Sequence, residues 1–109
     1  MSYSVKGTTI VLTRGDTFVA NIGIKNANGT PYIPQQGDTV RFAMKKDYSD
    51  ASPILEKDIP IETMQLSLEP GDTKPLSFRS YVYDIQLTTK DGVVCTFIKG
   101  NINITEEVT

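Results

Sequence analysis

Tyr81-Val82-Tyr83-Asp84-Ile85-Gln86-Leu87 alternates strictly, with Tyr81, Tyr83, Ile85 and Leu87 on one face of an extended chain and Val82, Asp84 and Gln86 on the other. This period-two pattern predicts a central strand buried on one side. Upstream, Met64, Leu66 and Leu68 alternate in the same way. They lead into Glu69-Pro70-Gly71-Asp72-Thr73, whose composition suits a corner and tolerates a helical turn. A strand, a corner and a second strand therefore follow one another between Met64 and Leu87.

Toward the N-terminus, Thr8–Thr13 is rich in β-branched residues and predicts a strand, ended by Arg14-Gly15-Asp16. Thr17–Lys25 predicts a second, with Phe18, Ala20, Ile22 and Ile24 on one face. Asn26-Ala27-Asn28-Gly29 closes it, since Asn-Gly supplies the positive φ of a tight hairpin. Pro31 and Pro34 each lack an N–H and confine the next piece to an extended edge or connector. Val40, Phe42 and Met44 then alternate in a strand, and Ile54–Ile61 reads as an edge strand because of Pro60. Lys90-Asp91-Gly92 makes a hairpin into Val93–Lys99, and Ile102 and Ile104 mark the last short strand.

Seven or eight short strands, turns between them and no 3.6-residue periodicity predict an all-β protein, an antiparallel β-sandwich. Residues 8–105 read as its single domain, 1–7 as an N-terminal arm or edge strand and 106–109 as a polar tail. The expected core joins Phe18, Ile22, Ile24, Val40, Phe42, Leu66, Leu68, Tyr83, Ile85 and Leu87.

Composition narrows the function classes. Among 109 residues there is no histidine, so the single cysteine, Cys95, has no imidazole to activate it, and neither a His-dependent triad nor the usual Cys and His zinc set can form. Eleven basic and thirteen acidic residues are scattered and leave a net charge of -2, which gives no basic stripe for nucleic acid. No apolar run is long enough to span a bilayer, and no charged segment followed by an apolar one opens the chain; neither membrane insertion nor a signal peptide is expected. No cofactor is expected either. Paired carboxylates acting as a small hydrolase, and Asp47-Tyr48-Ser49-Asp50 as a calcium loop, are outweighed by ordinary solvated surface. Arg14-Gly15-Asp16 spells a tripeptide that integrin receptors read, yet Gly15 serving the turn, with Asp16 or Thr17 bonding nearby backbone N–H groups, explains it without a receptor.

The strand, corner and strand of 64–87 resemble the E strand, E-to-F corner and F strand of an immunoglobulin-like sandwich. In such sandwiches a tyrosine at the start of F closes the corner through its hydroxyl. Tyr81 is the candidate here, against the plainer reading of an aromatic residue packed on a sheet.

A second resemblance covers residues 8–105. Leu12-Thr13-Arg14-Gly15-Asp16-Thr17, Gly37-Asp38-Thr39-Val40-Arg41-Phe42, Leu66-x-Leu68-x-Pro70-x-Asp72-Thr73, Tyr81-x-Tyr83-Asp84-Ile85, Asp91-Gly92, Phe97 and Ile102-x-Ile104 are similar to small proteins of phages and prophages of Gram-positive bacteria. Among named groups, they resemble the N-terminal β-sandwich domain of phage baseplate upper proteins. It implies a non-enzymatic structural or adaptor module of the tail or baseplate, made in the bacterial cytoplasm. The expected partners are itself, as a homo-oligomer, and other virion proteins. An immunoglobulin-like adhesion or carbohydrate-binding module is the alternative, with Tyr32 and Tyr48 as its only loop tyrosines.

The hairpin at Asp91-Gly92 decides the expected interface. A two-residue turn sets Leu87 opposite Thr96 and Ile85 opposite Ile98, and leaves Val82, Cys95 and Phe97 as an outward apolar strip. A longer turn with a bulge shifts the register by one and returns Cys95 and Phe97 to the core.

Overall fold

The computed structural model describes residues 3–6 by backbone only, and 8–25 and 28–106 in full. Among them the chain forms ten strands and one helical turn. The order is β1 (Tyr3–Lys6), β2 (Thr9–Thr13), β3 (Phe18–Asn21), β4 (Ile24–Lys25), β5 (Pro31–Tyr32), β6 (Thr39–Lys45), β7 (Leu55–Ile59), β8 (Gln65–Leu68), α1 (Pro70–Thr73), β9 (Ser80–Thr88) and β10 (Val94–Thr105). The protein is all-β. Residues 1, 2 and 7 of the expected arm, Asn26 and Ala27 of the expected tight turn, and 107–109 of the expected tail lie outside the described residues.

A six-stranded sheet runs β1-β2-β10-β9-β6-β7, and two ribbons, β3-β8 and β4-β5, stand apart from it. Inward residues of the large sheet (Ile10, Leu12, Val40, Phe42, Met44, Tyr81, Tyr83, Ile85, Ile102 and Ile104) share one buried cluster with Phe18, Ile24, Leu66 and Leu68 of the ribbons. The large sheet and the two ribbons thus share one core. Of the ten residues expected inside, Ile22 alone is only half-buried.

Four features depart from the sequence reading, one of them being that the expected strands Val93–Lys99 and Ile102–Ile104 are a single strand, β10, running through Gly100. The sheet is not wholly antiparallel, because β2 runs parallel to β10, with Ile10 beside Ile102 and Leu12 beside Ile104. The expected strand Thr17–Lys25 is two strands, which raises the strand number. Phe18–Asn21 pairs with β8, Ile22 N–H donates to the Met64 carbonyl (2.8 Å), and Ile24–Lys25 then pairs with β5 instead. Met64 holds a φ of 50°, the left-handed turn at which β8 begins.

The last departure is the β9–β10 register. Thr89 N–H donates to the Val93 carbonyl (2.9 Å), which leaves Lys90, Asp91 and Gly92 as a three-residue loop, and Gly92 takes its left-handed position with φ 88°. That loop sets Cys95 opposite Leu87 rather than Thr96. A bulge between Thr96 and Ile98 then absorbs one residue and restores Ile85 opposite Ile98. Val82, Cys95 and Phe97 therefore form no common strip. Cys95 shares the Leu87 face and is exposed; Val82 is on the opposite face; Phe97, at the bulge, is half-buried against the core.

Candidate functional site: the loop end of the sheet

The two ends of the sheet differ in what their side chains do. At the corner end, the residues singled out by sequence are occupied in holding the chain together. Glu69 N–H is capped by the Asp72 carboxylate (2.7 Å) at the start of α1, where Pro70 has no N–H to lose. Tyr81, buried at 1% exposure, donates its hydroxyl to the Ser77 carbonyl (2.8 Å) and lies under the Arg79 guanidinium (5.4 Å). Arg14 of the Arg-Gly-Asp turn donates to the Leu76 carbonyl (3.2 Å) and stacks on Phe78 (4.3 Å). Gly15 N–H donates to the Thr73 hydroxyl (2.8 Å), and its φ of 84° explains the glycine. The tripeptide is folded onto the corner and half-buried throughout.

At the opposite end, the loop before β6 and the β9–β10 hairpin touch, since a Cβ on Gly37 would lie 2.8 Å from Lys90 Cβ. The first loop is built around Asp38, 7% exposed, which accepts from the Tyr32 hydroxyl (2.6 Å) and from Gln35 N–H (2.9 Å). These donors, with the Lys90 backbone and charge, hold the Asp38 carboxyl below its usual range; the same carboxylate pushes the Tyr32 phenol up. Nothing in the sequence marks this pair except the turn composition around Gly37.

Around this polar anchor the loop end exposes apolar groups. Ile33 is 73% exposed, Val93 61% and Val94 59%, with Cys95 also exposed beside them. Of the two loop tyrosines, Tyr32 is half-buried and engaged with Asp38. Tyr48 is 59% exposed but has Lys99 Nζ 5.5 Å from its ring centre. A pocket of about 160 Å³ opens elsewhere, between Phe18 and Leu66 of the ribbon and Ile10, Tyr83 and Ile98 of the large sheet.

Several carboxylates are engaged by cations or backbone: Asp72 by Lys57 (2.8 Å), Asp58 by Arg41 (3.3 Å), and Asp50 by the Asp47 N–H (3.1 Å). Among the described residues no three metal-ligating side chains gather, and no helix is long and apolar enough to cross a membrane. Comparison of the chain with protein-family models, with curated proteins and with solved structures finds no match.

Proposed function

We propose that this chain is a non-enzymatic structural or adaptor module of a phage or prophage particle, built on an immunoglobulin-like sandwich and acting through protein–protein contacts. The observation that carries the contact role is the loop end, where Ile33, Val93 and Val94 stand in solvent on a framework fixed by Tyr32 and Asp38. Apolar groups on a rigid rim are what a protein partner covers. Two features support the immunoglobulin-like reading. The order β10-β9-β6-β7 follows the G-F-C-C′ order of variable-type sheets while β3 pairs with β8 as B pairs with E, and Tyr81 closes its corner on Ser77. The virion assignment rests on the resemblance of residues 8–105 to small phage structural proteins.

An epitope-tagged copy expressed during phage production tests this role. The tag is expected in the purified particle fraction at a fixed ratio to the other structural proteins. A tag confined to the soluble fraction overturns the virion role. The rival reading, an adhesion or carbohydrate-binding module, is favoured by the exposure of Tyr48. Specific hits on a glycan array, lost in Tyr48→Ala, would establish it instead.

A further inference from the structure

The two edges of β-structure that flank the central strands are defended unequally. Strand β7, at one end of the six-stranded sheet, carries Glu56, Lys57 and Asp58 and is followed by Pro60, the devices that stop a free edge from recruiting another chain. Strand β10 is different. Its partner β2 covers only Ile102–Thr105, so among the described residues the same side of Val94–Lys99 has no neighbouring strand. The segment Val93-Val94-Cys95-Thr96-Phe97-Ile98 there contains no charge, no proline and no glycine.

Ladder geometry says which groups are open. The hydrogen bond from Thr89 N–H to the Val93 carbonyl makes 89 and 93 a hydrogen-bonded pair, so two residues on, Cys95 directs its backbone N–H and C=O at Leu87. Val94 and Thr96 therefore direct theirs away from β9, to the uncovered side. The bulge at Phe97 ends the regular run, leaving a short, well-defined template.

From this we infer that the Val94–Thr96 edge of β10 pairs antiparallel with the same edge of a second copy, joining two large sheets across a two-fold axis. Self-pairing here presumes the assembly role proposed above and gives it a surface. A second copy is the occupant because the segment is self-complementary. With the axis through Cys95, Val94 of each copy exchanges both backbone hydrogen bonds with Thr96 of the other, so every outward donor meets an acceptor. No like charges are opposed, and the Asp91 end of one copy comes to the Lys99 end of the other. The pairing also covers Val94 and carries the exposed Val93 toward Phe97 of the second copy. In this register the two Cys95 residues face each other as a non-hydrogen-bonded pair, with Cα atoms about 4.5 Å apart.

Sedimentation of the full chain at high micromolar concentration, with a short-arm bismaleimide to join neighbouring thiols, tests the pairing. The expected species is a concentration-dependent dimer of twice the 12.0 kDa chain mass, cross-linked through Cys95 in good yield. Val94→Lys and Thr96→Pro should each give a monomer with the wild-type circular dichroism spectrum and at least a tenfold lower cross-linking yield. If Thr96→Pro does not fold, Val94→Lys alone decides. A wild-type chain that stays monomeric overturns the edge pairing, while particle incorporation still judges the assembly role. A dimer that survives both variants and leaves Cys95 unlinked also overturns it, and assigns self-association to another surface.

Discussion

The Tyr81 hydroxyl donates a 2.8 Å hydrogen bond to the Ser77 carbonyl four residues upstream, tying the start of β9 back to the segment that follows α1. Around it Leu76 N–H bonds to the Thr73 carbonyl (2.9 Å) and Ile104 N–H to the Arg79 carbonyl (3.0 Å), so the corner is tied from within and to the last strand. The phenol ring supplies core volume, and its oxygen supplies the direction of the chain.

Removing only that oxygen isolates its part. Tyr81→Phe should lose about 0.5–1.5 kcal/mol in urea unfolding with an unchanged spectrum, because the ring stays buried and one acceptor loses its donor. A variant as stable as the wild type would mean that water replaces the hydroxyl at Ser77 at no cost.

The core is the part of the fold that alternation exposes most directly. Phe42, at 0% exposure, stacks 5.5 Å from Tyr83, and Ile85 is 1% exposed on the same face of the neighbouring strand. Phe42→Ala and Ile85→Ala should each destabilise by about 2–5 kcal/mol, with Phe42 toward the upper end. Phe78, 47% exposed, should tolerate alanine far better. Equal midpoints for all three variants would contradict the burial pattern.

What alternation reveals and what it hides has a physical basis. It identifies the strands around Phe42, Leu66 and Ile85 because each keeps one buried face from end to end. It cannot show that the chain changes partners at Ile22–Gly23, since Ile22 and Ile24 keep the same parity on both sides of the break. Nor does it show β2 lying parallel to β10, a pairing between residues 92 positions apart that no local signal encodes. Lys90-Asp91-Gly92 serves both a two-residue and a three-residue hairpin, and the choice rests on where Gly92 puts its positive φ. The loop end was legible only as turn composition: Tyr32 and Asp38 are six residues apart, with Pro34 between them, and only the folded loop brings them to 2.6 Å.

The Tyr32–Asp38 pair predicts how stability responds to pH. The folded-state pKa of Asp38 is depressed from 3.8, so its contribution is present above that value and is lost as pH falls through the lower, folded value. For Tyr32 the folded-state pKa is raised from 10.0, so its contribution is present below 10.0 and lost as pH rises through the folded value. Tyr32→Phe removes the first cause of the Asp38 shift. Its unfolding free energy should therefore fall less steeply below pH 3.8 than that of the wild type, and the Asp38 carboxyl should titrate higher by NMR. Parallel acid limbs for the two proteins would show that the hydroxyl does not set the carboxylate.

Gly100 is where the edge of β10 meets the start of β2, and its lack of a side chain is required by space rather than by backbone angle. A Cβ there would collide with the Thr8 carbonyl oxygen, and that oxygen is itself fixed as the acceptor of the Tyr83 hydroxyl (2.6 Å). Backbone cannot give way as the end of a flexible side chain can. Gly100→Ala should push residue 8 off the sheet and destabilise by about 1–3 kcal/mol or more, comparable to overpacking a core. Tyr83→Phe in the same background should then cost less than it does in the wild type, because the displaced carbonyl no longer holds the hydroxyl. Gly71→Ala is the matched control: nothing lies within 4 Å of its added Cβ, and in the helical turn alanine should be neutral or slightly stabilising. Unfolding midpoints for the three single variants and the Gly100→Ala, Tyr83→Phe double variant decide the matter. Equal effects of Gly100→Ala and Gly71→Ala would mean that the Thr8 contact yields without resistance.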